Sequence, residues 1–236
     1  LEKIDKSSEK VSAMFDSIAR NYDFLNHFLS FGIDRLWRKK AVRLISGYFS
    51  SPNILDVATG TGDLAIAAMK AKPSHITGID ISNAMLEEGR KKIVRHGYGS
   101  VIDLRYGNSV KIDFGAEVFD VAMVAFGVRN FSDLNKGLSE MTRVVRKGGM
   151  VLILEFSKPA YFPLKQLYGI YFLRILPVIG RLFSKNNEAY RYLPETVMVF
   201  PDNEDFIKIL ESTGLAEVSQ VRLSGGIASI YYGFKN

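Results

Sequence analysis

The chain contains no cysteine, which excludes disulfides, thiolate metal sites and a cysteine nucleophile. That absence fits a reducing compartment, and a cytoplasmic location is expected. Histidine is nearly as scarce. His27, His75 and His96 are isolated with no ligand-like spacing, so packing or surface roles are expected and no metal is. No apolar run is long enough to span a bilayer, and no signal-peptide pattern opens the chain. A strong charge of one sign is missing too. Net charge is +6, from 31 basic and 25 acidic residues, which permits an acidic partner or a membrane surface without requiring either. The basic runs Arg35-x-x-Arg38-Lys39-Lys40, Arg90-Lys91-Lys92 and Arg143-x-x-Arg146-Lys147 read as solvated helix faces or helix ends. Nothing resembles a nucleic-acid module, and no nucleic-acid partner is expected. There is no internal repeat or low-complexity segment.

What is present begins with Asn53-Ile-Leu-Asp-Val-Ala-Thr-Gly-Thr-Gly-Asp-Leu-Ala65. It reads as a buried strand, a glycine turn and a helix start. Gly60 and Gly62 let the backbone turn and approach a ligand that a Cβ would block. Asp80 ends the next apolar run, twenty residues after Gly60, about where such folds place the acid that grips ribose hydroxyls. An adenosine-bearing cofactor is therefore expected across the carboxyl ends of a parallel sheet.

Gly60-x-Gly62-x-x-Ala65 formally satisfies the dinucleotide fingerprint. Asp56, inside the strand, argues against a pyrophosphate, because its carboxylate would oppose an anion gathered by backbone N–H groups. It suits a ligand that carries an ammonium. S-adenosylmethionine has an ammonium, a sulfonium and a carboxylate, and no phosphate, so the acids tilt the choice toward it. The alternative for Asp56 is a structural acid satisfying loop amides, and the two roles are compatible.

Hydrophobic content of 47% over 236 residues suits one α/β domain with a modest insertion. Helices are predicted over 7–21 and 24–48, then near 62–71, 83–95, 133–146 and 203–213. Strands are predicted near 53–57, 76–80, 101–106, 119–125 and 149–155, with Lys147-Gly148-Gly149 as a helix stop feeding the last of these. Two further strands, 217–223 and 227–234, join through Ser224-Gly225-Gly226 and can pair only antiparallel. The sum is a doubly wound, mostly parallel seven-stranded sheet with an antiparallel C-terminal hairpin, the Rossmann-like sheet of class I methyltransferases. The single domain divides into a helical N-terminal cap (1–50), a cofactor-binding core (51–156), an apolar helical cap inserted after strand 5 (157–200) and a C-terminal helix and hairpin (201–236). Aromatic and aliphatic residues crowd 161–183, and Arg174, Arg181, Pro163 and Pro177 argue against a membrane span there. Core packing, a dimer contact and a cap over a lipophilic tail at a membrane surface all fit that stretch.

Several segments then coincide in order: Phe15-Asp-Ser-Ile-Ala-Arg-Asn-Tyr-Asp23, the glycine turn, Asp80-Ile-Ser-Asn-Ala-Met-Leu86, Ala125-Phe-Gly-Val-Arg-Asn130, Arg143-Val-Val-Arg-Lys-Gly-Gly149, Leu154-Glu-Phe-Ser-Lys-Pro159, Tyr190-Arg-Tyr-Leu-Pro-Glu195, Phe200-Pro201 and Gly225-Gly-Ile-Ala228. Together they resemble the ubiquinone/menaquinone biosynthesis C-methyltransferases over nearly the whole chain. The glycine turn is shared by all class I methyltransferases, whereas Phe-Gly-Val-Arg-Asn and Gly-Gly-Ile-Ala are much narrower. The strand and glycine turn already point to Asp56, Gly60, Gly62 and Asp80 as cofactor contacts, the resemblance implies contacts at Thr61, Asp80, Asn108 and Ser109, and Ile81, Met85 and Ala125 in the quoted segments are expected beside them. Ser109 stands where the family usually has alanine, and Val110-Lys-Ile-Asp-Phe114 replaces a common Leu-Pro-Phe. The resemblance also implies a prenylated quinol acceptor, and the 161–183 stretch adds a peripheral contact at the inner membrane face and a homodimer as further expectations.

Methyl transfer to a ring carbon needs an electron-rich carbon, best made by ionising a ring hydroxyl. A phenol titrates near pH ~10, so a cation or hydrogen-bond donor beside the oxygen helps. Arg129 and Asn130, just past the fourth strand, are assigned these roles, Arg129 for the developing phenolate and Asn130 for orientation. Arginine stays protonated in proteins, so the proton must leave through water or another residue, with Tyr22 and Asp23 as candidates. A salt bridge from Arg129 to Glu155, and a packing role for Tyr22 with Asp23 as a capping acid, are the structural alternatives. Glu155 itself could line the pocket or be a buried acid bonded to loop amides.

Overall fold

Alternating side chains along each strand reach apolar layers on both faces of one central sheet. The computed structural model describes residues 5–171 and 187–236, except the side chains of Asn21, Leu25, Phe28, Leu29 and 187–191. Residues 172–186, and with them Arg174, Pro177 and Arg181 of the apolar stretch, lie outside the described residues.

The elements run α1 (Ser8–Leu29), α2 (Ile33–Tyr48), β1 (Asn53–Val57), α3 (Asp63–Ala68), β2 (His75–Asp80), α4 (Asn83–Arg95), β3 (Ile102–Tyr106), β4 (Phe119–Ala125), α5 (Leu134–Val144) and β5 (Val145–Phe156). Then come α6 (Leu164–Ile170), α7 (Asn187–Val199), α8 (Glu204–Ser212), β6 (Leu215–Leu223) and β7 (Ala228–Lys235). The sheet order is β3-β2-β1-β4-β5-β7-β6. The first five strands are parallel, and β7 pairs antiparallel with β5 and β6. This is the expected class I methyltransferase sheet. In β1, Ile54 faces Trp37, Val42 and Ile45 of α2, while Leu55 and Val57 join Leu138, Met141 and Phe206 on the other side.

Three boundaries differ from the sequence reading. The N-terminal helix does not break near 22–24. It runs to Leu29 and stops where Phe31 (φ 52°) and Gly32 (φ 72°) enter the left-handed region, with the Gly32 N–H bonded to His27 O at 2.8 Å. Helix α5 ends at Val144, short of 146, because the chain already belongs to the sheet at Val145, which pairs with Phe119. Lys147-Gly148-Gly149 is consequently a kink inside β5 rather than a helix stop. Gly148 has φ 70°, and a Cβ on Gly149 would lie 2.6 Å from Asp120 O.

The order reverses between β1 and β4, which start opposite crossovers. Ligands of open α/β sheets bind at the carboxyl ends of such a pair. Helix α1 lies across that edge, and α6 and α7 border it.

Candidate active site

The loop after β1 is built to bring backbone close to a ligand. Gly60 (φ 55°) lines a cavity of about 650 Å³, counting its open mouth, and a Cβ there would meet no atom within 4 Å. Asp80, at the end of β2, lines the same cavity. Its carboxylate accepts the Gly60 N–H and the Ser82 N–H, each at 2.8 Å. Burial pushes the Asp80 carboxyl up, while those two amides hold it down. Asp80 thus braces the glycine loop and walls the cavity at once.

Ile81, Met85, Asn108, Ser109, Ala125 and Asn130 line this cavity as well, with Ser8, Val11, Phe15 and Tyr22 of α1 and its lead-in closing it from above. The altered segment after β3 closes locally. Val110 N–H bonds to Asn108 Oδ1 at 3.1 Å, and Asn108 Nδ2 donates to Ser8 Oγ at 3.2 Å. Asn130 Oδ1 is buried with no hydrogen-bond partner among the described residues. A carboxylate that already takes the Gly60 N–H and an unpartnered Asn130 carbonyl oxygen suit a nucleoside carrying an ammonium better than a pyrophosphate.

Asp56, Thr61, Gly62 and Asp23 sit elsewhere. Asp56 is 1% exposed, receives the Thr59 hydroxyl at 2.7 Å and lies beneath the loop rather than in the cavity wall. Burial raises its carboxyl to about 7. Thr61 turns its hydroxyl to Asp23 at 2.5 Å. Asp23 in turn accepts from Lys92 at 2.6 Å. The residue proposed as a proton acceptor is therefore engaged by an ammonium on α4. Gly62 caps α3 (φ 79°) and packs toward Leu104 and Ile93.

His27 is not isolated. The helix break at Phe31-Gly32 brings Asp34 back to it, with Nδ1 2.9 Å from Asp34 and Nε2 3.6 Å from Asp63. Arg38 pairs with Asp34, Lys92 pairs with Asp63 at 2.6 Å, and Arg38 reaches Asp63 at 3.5 Å. Burial opposes ionisation of Asp63, but the Arg38 and Lys92 charges outweigh it and hold its carboxyl below the usual range. His27, Asp34 and Asp63 are close enough to share a cation, yet Arg38 and Lys92 already supply positive charge. The cluster reads as a polar clasp joining α1, α2, α3 and α4. His96 stacks on Tyr98, with ring centroids 5.7 Å apart.

A second cavity adjoins the first and shares Phe15, Tyr22 and Phe126 with it. Arg129 lines this one, beside Asn26, Arg38, Phe156 and Tyr192. Its Nη1 donates to Glu155 at 2.8 Å and to Phe126 O at 2.5 Å. Glu155 is fully buried and also accepts the Phe156 N–H at 2.8 Å and, more weakly, the Arg129 N–H at 3.4 Å. The ion pair and the cavity-lining position coexist: Arg129 keeps 7% of its surface exposed, and its Nε is buried without a partner among the described residues. Burial pushes the Tyr22 phenol up, against the pull of nearby Arg129 and Arg38. A third cavity, about 880 Å³ and walled mainly by apolar groups, shares Asn26, Ser30, Phe156 and Leu193 with the second.

Sequence reasoning missed Arg38, Asn26 and Tyr192. Arg38 stood in a basic run, and only the spacing Asp34-x-x-x-Arg38 hinted at a paired side chain. Nothing local announces that distant loops bury it.

A family model described as the ubiE/COQ5 methyltransferase family matches residues 3–235. The chain is 45% identical over 227 residues to a demethylmenaquinone methyltransferase of Bacteroides fragilis, covering 96% of this chain and 92% of that one. It is 46% identical over 235 residues to the ubiquinone/menaquinone biosynthesis C-methyltransferase UbiE of Geotalea daltonii, covering 99% of each. Among solved structures, an S-adenosylmethionine-dependent methyltransferase from Thermotoga maritima superposes with a TM-score of 0.67 at 17% identity, over 95% of this chain and 99% of that one. The glycine loop, the bracing acid and the matched length agree: this is an S-adenosylmethionine-dependent class I methyltransferase, and the chain belongs to the ubiE/COQ5 methyltransferase family.

Proposed function

We propose that the enzyme methylates a ring carbon of a prenylated quinol, of the demethylmenaquinol or ubiquinone-precursor type, at the inner face of a membrane. The observation that carries this reading is the row of three cavities with shared walls. The glycine-loop cavity adjoins an aromatic-walled one with buried guanidiniums, which adjoins a larger apolar one. That sequence matches a nucleoside, a flat oxygenated ring and a greasy tail. The names of the relatives at 45–46% identity point the same way.

S-adenosylmethionine supplies an electrophilic methyl group on a sulfonium. The ring carbon provides the electron pair of the new bond as the S–CH3 bond breaks with its pair going to sulfur, and the one proton released per methyl transferred passes to water. Arg129 favours a ring oxygen bearing negative charge, through a low-dielectric contact that water would weaken. Asn130 lines the first cavity and holds the reacting partners in register. Tyr22, shared by both cavities, lies where donor and acceptor meet, and its phenol stays protonated through burial. Excluding water and fixing the approach account for much of the rate in such a displacement.

The test is transfer of a labelled methyl from S-adenosylmethionine to reduced, demethylated prenyl quinols, with the product fragmented to locate the label. Label on a ring carbon is expected. Label on oxygen, or no transfer to any quinol, sinks the reading.

A further inference from the structure

Arg38 belongs by sequence to a basic helix face, but the fold separates it from its neighbours. Arg35, Lys39 and Lys40 are exposed, whereas Arg38 is 7% exposed and lines the second cavity. Burying a guanidinium is costly unless it is paired and its N–H groups are bonded. Asp34 supplies the pairing, and Asp63 adds a contact at 3.5 Å, yet Arg38 Nε has no hydrogen-bond partner among the described residues. Arg129 repeats the arrangement in the same cavity: 7% exposed, paired with Glu155, its Nε unpartnered. Each guanidinium carbon sits 5.5 Å from a phenylalanine ring, Arg38 over Phe126 and Arg129 over Phe156, and those two rings are 4.7 Å apart.

Two guanidiniums that line one cavity, each with a buried donor still unbonded, call for a ligand with two acceptors. Because each arginine is already neutralised by an acid, a multiply charged anion is not what the cavity favours. Aromatic walls and two spare donors fit a flat ring with two oxygens. We propose that Arg38 and Arg129 each hold one oxygen of the same acceptor ring, so that Arg38 selects aromatic diols over rings with a single hydroxyl. The inference rests on reading this cavity as the seat of the acceptor ring. Deleting one hydrogen bond to a charged group corresponds to roughly a 10- to 100-fold change in affinity.

The test is anaerobic calorimetry of 1,4-dihydroxynaphthalene and of 1-naphthol binding to the protein saturated with S-adenosylhomocysteine. The wild type is compared with Arg38→Gln and Arg38→Lys, and with a double variant, Asp34→Asn with Arg38→Gln, that leaves no buried acid unpaired. The wild type is expected to prefer the diol by about 10- to 100-fold. The variants are expected to lose that preference by weakening the diol alone, with S-adenosylhomocysteine affinity intact. Folded variants that keep the preference, or lose both ligands in equal proportion, overturn the proposal and leave Arg38 a purely structural cation. A wild type that binds 1-naphthol as tightly as the diol, or binds neither, overturns it without any variant. An Arg38-dependent preference without methyl transfer to any quinol would defeat the proposed function and leave this inference standing. Transfer to a quinol by an enzyme without the preference would do the reverse.

Discussion

Burial decides the charge of Asp56. With its carboxyl raised from 3.8 to about 7, Asp56 is neutral in the fold at mildly acidic pH while the unfolded chain is already ionised. The sign follows from linkage. Below pH 3.8 the side chain is protonated in both states and costs nothing. As pH rises toward 7, keeping it buried costs progressively more, reaching about 4 kcal/mol at full ionisation. Asp56→Asn never ionises and can still accept the Thr59 hydroxyl. Its melting temperature relative to wild type, measured without cofactor, should therefore rise between pH 5 and pH 8. A difference independent of pH would mean that Asp56 is solvated or paired in the fold. At this scale the sequence revealed the residues whose duty is local. Gly60 and Asp80 declare themselves because a turn and a strand end are written within a few positions. Arg38 and His27 do not, because their partners arrive from other elements.

Elements meet at the cavity floor through small side chains. Gly127, in the Phe-Gly-Val-Arg-Asn segment after β4, packs against the loop after β1, and a Cβ on it would lie 2.7 Å from Ala58 Cβ. Ala58 itself holds φ 52°, so it has little freedom to retreat. Gly127→Ala should push the two loops apart, costing about 1–3 kcal/mol of stability. It should also weaken S-adenosylmethionine binding about tenfold, equivalent to about 1.4 kcal/mol. Equilibrium dialysis with an unchanged affinity would show that the loops tolerate separation. Most elements were legible from periodicity: β1, β4 and α4 run over the expected residues. The N-terminal helix was not, because its break depends on Phe31 adopting a left-handed conformation ahead of Gly32, and phenylalanine carries no signal for that. That one missed break hid the clasp of His27, Asp34 and Asp63.

On the scale of the whole molecule, the outer mouth of the cavity row matters. Phe31 (78% exposed) borders the third cavity, and Tyr161 (75%) and Phe162 (81%) lie just before α6, whose Leu164, Leu167 and Tyr168 also wall it. Among the described residues no helix is long and apolar enough to cross a membrane. Exposed aromatics beside exposed Arg35, Lys39 and Lys165 suit a shallow contact with an anionic bilayer instead. Replacing Phe31 and Phe162 together with serine should lower co-sedimentation with anionic vesicles, and a wild type that stays in the supernatant would remove membrane contact from the proposal.

The passage between ring and tail cavities offers a sharper test, because one side chain can close it. Leu193 of α7 lines both cavities, and Phe156, Asn26 and Ser30 complete their common wall. A tail that leaves the ring must pass this point. Leu193→Trp adds bulk there, and Leu193 itself does not line the cofactor cavity. If the tail follows this path, kcat/KM for a long-tailed acceptor falls by about tenfold or more, the equivalent of losing one to two buried methylenes. A tail-less acceptor should lose much less, since no part of it has to pass Leu193 into the third cavity. Equal loss on both acceptors would mean that the substitution disturbs the ring seat. No loss on either would mean that the tail leaves the protein by another route, and that the apolar cavity serves something else.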